Sequence, residues 1–68
     1  MNVHVRQQIK GLRKEQNISE AEMSERLGIS RDHYVGMENG KRKMAPAMVV
    51  RIAHVLGTTY TELRGAKK

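Results

Sequence analysis

The chain has 68 residues, 13 of them Lys or Arg and 7 Asp or Glu, for a formal charge of +6. That length makes one domain with a stability of roughly 3–10 kcal/mol, burying about 60% of its unfolded surface, so no deep substrate cavity is expected. There is no cysteine, which excludes disulfides and thiolate metal sites and fits a reducing cytosol.

No apolar run approaches the ~20 residues that span a bilayer. The N-terminus lacks an apolar h-region, so no signal peptide is expected. The basic balance points to a polyanion partner, which is DNA, RNA or an anionic membrane. The charge is unevenly spread. Between Asn39 and Thr61 there is no acid, and Lys41, Arg42, Lys43 and Arg51 fall there. Glu20, Glu22 and Glu25 gather on the second expected helix.

In chain order, residues 1–4 are expected to fray and residues 5–16 read as the first helix. Val5, Ile9, Leu12 and Gln16 share one face, with Arg6, Lys10 and Lys14 outside it. Gly11 sits mid-helix at a cost of about 1 kcal/mol against alanine, and close helix packing would account for it. Asn17 suits a left-handed stop. Ile18 stands where a hydrophobic staple belongs, just before the cap at Ser19.

Ser19 and Glu22 form a capping box that opens the second helix, and Met23 and Leu27 share its inner face. Gly28 ends that helix. Ser30 caps a third, whose inward residues are Tyr34, with its hydroxyl at the rim, and Met37. Asn39 and Gly40 stop it. Two helices joined by three or four residues with a glycine in the joint make a helix-turn-helix, whose second helix protrudes far enough to enter a major groove. After a short basic loop, Pro46 favours a helix start. Val49, Ile52, Ala53 and Leu56 form its inward stripe, and Gly57 ends it. A second capping box, residues 59–62, implies a short fifth helix through Leu63. Residues 64–68 read as a loose basic tail. No strand alternation, repeat or linker is visible. The fold class expected is all-α, a compact five-helix bundle with a central helix-turn-helix, its core at about residues 5–63.

Four words carry a resemblance: I-K-G-L-R-K-E-Q-N-I-S (residues 9–19), L-G-I-S-R (27–31), M-E-N-G-K-R (37–42) and R-I-A-H-V-L-G (51–57). Their order and spacing resemble the phage repressor/Cro-type helix-turn-helix family over residues 5–63. The resemblance implies sequence-specific binding of double-stranded DNA, usually as a homodimer on a two-fold symmetric operator, and a role in transcription regulation in a prokaryotic or phage cytoplasm, at the nucleoid. By position it assigns base reading to Arg31, Asp32 and Gly36, with His33 beside them. It assigns phosphate contact to Glu20, Asn39, Lys41, Arg42 and Lys43, and an internal ion pair to Arg13 and Glu38.

This sequence departs from the family pattern at several of these positions. Glu20 puts an anion where a phosphate comes close. Gly36 has no side chain where many relatives read a base. Met44 and Ala45 replace a more usual proline and capping residue. Asp32 either accepts from a cytosine amino group or serves as a first-turn acid at the helix N-terminus.

The remaining signals favour structure over chemistry. Met23 and Met37 fall on inward stripes and read as core. His4, His33 and His54 lie on different elements without metal-ligand spacing. No catalytic triad, paired carboxylate or phosphate-binding glycine loop is present, so neither an enzyme nor a cofactor is expected. The reading favoured is a DNA-binding regulator made of the binding domain alone, controlled by its own concentration or by a regulatory protein partner. A dimer would use Tyr60 and Leu63, unless these close the monomer core. The alternatives are a protein-interaction module on the same scaffold, antirepressor or antitoxin-like, and a basic helix bundle on a membrane surface.

Overall fold

Helix boundaries in this chain are set by single residues, and the computed structural model, which describes residues 3–64, places five helices between them. They are α1 (Val3–Glu15), α2 (Glu20–Leu27), α3 (Arg31–Asn39), α4 (Pro46–Leu56) and α5 (Tyr60–Leu63). The side-chain oxygens of Ser19, Ser30 and Thr59 accept from the amide N–H three residues on, at 3.0 Å from Glu22, 3.1 Å from His33 and 3.1 Å from Glu62. Each satisfies one of the donors a helix start leaves over.

Both expected capping boxes are half made. The Glu22 carboxylate accepts from Arg26 at 2.6 Å, and Glu62 accepts from the Thr58 hydroxyl at 2.6 Å. A solvent-side partner one turn away, or next to the cap, outcompetes the backbone N–H of the cap itself.

The ends of α1 to α4 follow one pattern. Asn17 (φ 59°), Gly28 (φ 73°), Gly40 (φ 86°) and Gly57 (φ 75°) are left-handed. The next residue's N–H turns back to a carbonyl in the last helical turn. Ile18 donates to Arg13 at 3.0 Å, Ile29 to Ser24 at 3.0 Å, Lys41 to Gly36 at 2.8 Å and Thr58 to Ala53 at 2.9 Å. These are Schellman closures. The helix-turn-helix joint is therefore Gly28–Ser30, a stop and a fresh cap with Ile29 between them.

The core runs through all five helices. Val5, Ile9, Met23, Leu27, Tyr34, Met37, Val49, Ile52, Ala53 and Leu56 are buried, as is Ile18 at the α1–α2 corner. Two long-range bonds tie helix ends across it. Gln16 donates to the Leu56 carbonyl at 2.7 Å, and Arg51 donates to the Leu27 carbonyl at 2.5 Å.

Several expectations are corrected here. α1 begins at Val3, so His4 is helical rather than frayed. Leu12 is only partly buried. Gly11 is exposed, and a Cβ there would meet nothing within 4 Å, so no close packing needs it. Leu63 is 1% exposed and closes the monomer core, which removes it from any dimer surface. The expected tail, beyond Arg64, lies outside the described residues. No helix among them is long and apolar enough to cross a membrane.

Candidate nucleic-acid interface

α3 is fixed from behind by a buried ionic network. The Arg13 guanidinium donates to Glu38 twice, Nε to Oε2 at 2.9 Å and Nη2 to Oε1 at 3.0 Å. Its remaining nitrogen, Nη1, donates to the Ile18 carbonyl at 2.8 Å. The Tyr34 hydroxyl donates to Glu38 Oε2 at 2.7 Å. The Tyr34 side chain is wholly buried, so its hydroxyl ends inside this network and not at the rim. The two ion-pair side chains are 8% and 1% exposed. No buried side-chain nitrogen or oxygen among the described residues lacks a partner, which is the condition under which a buried pair is tolerated.

The electrostatics follow from the geometry. The bond to Glu38 raises the Arg13 pKa above its already high value. Burial, and then the bond to Glu38, push the Tyr34 hydroxyl well above the ordinary phenol range. Burial works against the Glu38 charge, but the donors from Arg13 and Tyr34 outweigh it and hold the carboxyl below its usual value. Glu20, the first residue of α2, is half-buried, and its charge also favours the Arg13 cation. At that position it complements the positive end of the α2 dipole.

With Tyr34, Met37 and Glu38 turned inward, a period of 3.6 residues turns Asp32, Gly36 and Asn39 outward. Arg31 and Val35 lie on one flank and His33 on the other. Arg31, Asp32 and Asn39 are exposed, while His33 and Gly36 are half-buried. Asp32 stands in the first turn, where an acid favours the helix N-terminus whatever else it does.

The loop after α3 continues this surface. Lys41, Arg42 and Lys43 are exposed, and among the described residues no hydrogen bond or ion pair occupies their side chains. The loop is nonetheless held at both ends. The Lys41 and Arg42 amides both donate to the Gly36 carbonyl, at 2.8 and 3.0 Å, and Met44 is 1% exposed in the core.

Two contacts here carry no signal in the sequence spacing. Arg6 of α1 lies against Gly40, its Nε and Nη2 each 3.2 Å from where a Cβ would stand. This brings an α1 cation beside Asn39 and Lys41. A shallow groove between α1 and the end of α3 is lined by Arg6, Gln7, Lys10, Glu38 and Asn39. The Arg42 stem, likewise, lies against Gly36. His4, His33 and His54 sit on α1, α3 and α4, and no group of three potential metal ligands forms among the described residues.

A second helix joined to the first by a short glycine-containing turn, with an exposed polar tip, locked from behind and followed by a basic loop, is the arrangement of the helix-turn-helix class of DNA-binding domain. The helix-turn-helix family matches residues 9–63, and the chain belongs to it, in its repressor/Cro type. No curated protein and no solved structure matches the chain. The protein is a DNA-binding helix-turn-helix regulator of transcription.

Proposed function

We propose that the protein binds a specific operator by inserting α3 into the major groove, and that it does so as a two-fold symmetric dimer in the cytoplasm. Arg31 at the tip of α3 reads a base edge, with Asp32 and His33 beside it. Asn39, Lys41 and Lys43 hold phosphates on the flanking backbone. Glu20 serves the fold through Arg13, and an anion at that site is unsuited to a phosphate.

The observation that carries this reading is the contrast in partnering around α3. Its inner face is fully bonded through Arg13, Glu38 and Tyr34, while the side chains of Arg31, Lys41 and Lys43 on the outer side are exposed and unpaired among the described residues. Exposed cations without an anion of their own, on an anchored backbone, suit an external one. One recognition helix offers little base contact, and two-fold pairing doubles it.

In vitro selection from a random DNA pool tests the proposal. The expected product is an inverted repeat with half-sites about one helical turn apart, bound by two protomers. A selected site without a repeat, bound by one protomer, would reject the dimer. Failure to enrich any sequence would reject operator binding.

A further inference from the structure

Gly36 leaves a gap at the centre of the outward face of α3, and Arg42 fills it. A Cβ on Gly36 would stand 3.1 Å from Cγ, 3.2 Å from Cδ and 3.5 Å from Cβ of Arg42. Three successive carbons around the place a Cβ would take mean that the arginine stem lies over the helix surface at Gly36. The backbone enforces this placement, because the Arg42 amide is bonded to the Gly36 carbonyl at 3.0 Å. Arg42 is exposed as a residue, and no hydrogen bond or ion pair occupies its guanidinium among the described residues.

A glycine inside a helix costs about 1 kcal/mol against alanine, and at Gly36 the nearest atoms to the vacated space all belong to this side chain. We propose that Arg42 is a base-reading residue. Seated across Gly36, it supplies the recognition helix with the side chain that Gly36 lacks, and its guanidinium donates to O6 and N7 of a guanine in the major groove. This rests on the operator binding proposed above. It revises the expectation that Arg42 only holds a phosphate.

The physical basis is pre-organisation. A loop arginine free in solvent loses rotamer freedom on meeting any acceptor, phosphate or base. One whose stem is laid on the recognition helix has lost that freedom before binding, and its planar fork matches the two acceptors of guanine. Lysine keeps the charge and most of the stem but not the fork. Alanine at Gly36 keeps Arg42 but crowds its stem and shifts it outward from its seat.

The test is selection from a random pool, followed by affinity for the selected site and a scrambled duplex across a salt series. The proteins compared are the parent, Arg42→Lys, Arg42→Ala, Gly36→Ala and Arg31→Ala, with thermal unfolding as the check on folding. Arg42→Lys is expected to lose roughly 5- to 150-fold of discrimination at one guanine position per half-site while keeping the salt slope. Gly36→Ala is expected to flatten that same position, and Arg31→Ala a different one.

The proposal is overturned if Arg42→Lys selects the parent site unchanged. It is equally overturned if Arg42→Ala weakens both duplexes alike and lowers the salt slope by about 1, the behaviour of a phosphate contact. Either result leaves operator binding intact. A parent protein that enriches no sequence overturns operator binding and this proposal together.

Discussion

Arg13 and Arg42 carry the same guanidinium and spend it oppositely. Arg13 points inward from α1, its side chain 8% exposed, with Nε and both Nη nitrogens engaged by Glu38 and the Ile18 carbonyl. Arg42 lies on the outside of α3, with its carbons seated on Gly36 and its guanidinium unengaged among the described residues. The inner arginine sets where α3 stands relative to α1 and the α1–α2 corner. The outer one takes its position from α3. A charge that is desolvated and fully bonded acts on the fold, and one that is held but unbonded is available to a partner. Three further cations divide in the same way: the Arg51 side chain is tied to the Leu27 carbonyl, whereas the side chains of Lys41 and Lys43 have no hydrogen bond or ion pair among the described residues.

The sharpest way to break this contrast is to remove the inner partner. Glu38→Gln keeps the shape but strands the Arg13 charge in a buried site, at an expected cost of about 3–5 kcal/mol. That is a large share of a total stability of roughly 3–10 kcal/mol. Urea unfolding measures it, and a midpoint equal to the parent's would show that the network contributes nothing. Acid makes a similar change reversibly. The Glu38 carboxyl titrates below its unfolded value of about 4.3. Its contribution is therefore fully present above that value and is lost as pH falls through the lower, folded one. The urea midpoint is expected to hold from pH 7 to 5 and to drop below about pH 4, with a smaller acid drop in Glu38→Gln. Parallel acid profiles for the two proteins would place the sensitive group elsewhere.

On the outer side the expected effects are smaller and fall on binding. Arg31→Ala should leave unfolding unchanged and lower discrimination at one base pair per half-site by about 1–3 kcal/mol. Lys41→Ala and Lys43→Ala should weaken cognate and scrambled duplexes alike, each reducing the salt slope by roughly 1. If Arg31→Ala weakens both duplexes equally, Arg31 is a phosphate contact and the tip of α3 does not face the bases.

What is legible in the sequence divides by range. Ser19, Ser30, Thr59, Asn17 and the glycines that end helices act within four residues of themselves, so the boundaries they set are readable almost to the residue, while the start of α1, read at residue 5 and found at Val3, is not. The inward stripes of α2, α3 and α4 are readable for the same reason. Contacts that depend on how one helix crosses another are not. Met44 looks like part of a basic loop and is buried in the core. Leu63 reads in the sequence as either dimer surface or core closure, and the fold settles it as core. The Arg13–Glu38 pair is legible only through family resemblance, since nothing in a separation of 25 residues predicts it, and Tyr34 as its third member is not legible at all. Arg6 on Gly40 and Arg42 on Gly36 escape for a related reason. A glycine's neighbours are set by the tertiary fold, and the residue itself carries no pattern.

That last point makes the smallest prediction the most pointed. Gly11 and Gly36 are both helical glycines, and the sequence does not distinguish what each permits. At Gly11, on the exposed side of α1, an added methyl meets nothing within 4 Å. Alanine there should relieve the glycine's conformational cost without displacing any neighbour, a gain of about 0.5–1 kcal/mol. For a domain of this size that corresponds to a rise in Tm of up to about 8 °C. Since Gly11 touches neither the ion-pair network nor the outer face of α3, Gly11→Ala should bind the selected operator with parental affinity, preference and salt slope. Gly36→Ala relieves a similar backbone cost but displaces Arg42, so its gain in Tm should be smaller and its base preference altered. Calorimetry and a binding titration on the two alanine variants separate the cases. A Gly11→Ala protein with lower Tm than the parent would mean that α1 is packed more tightly at that point than its open surroundings indicate.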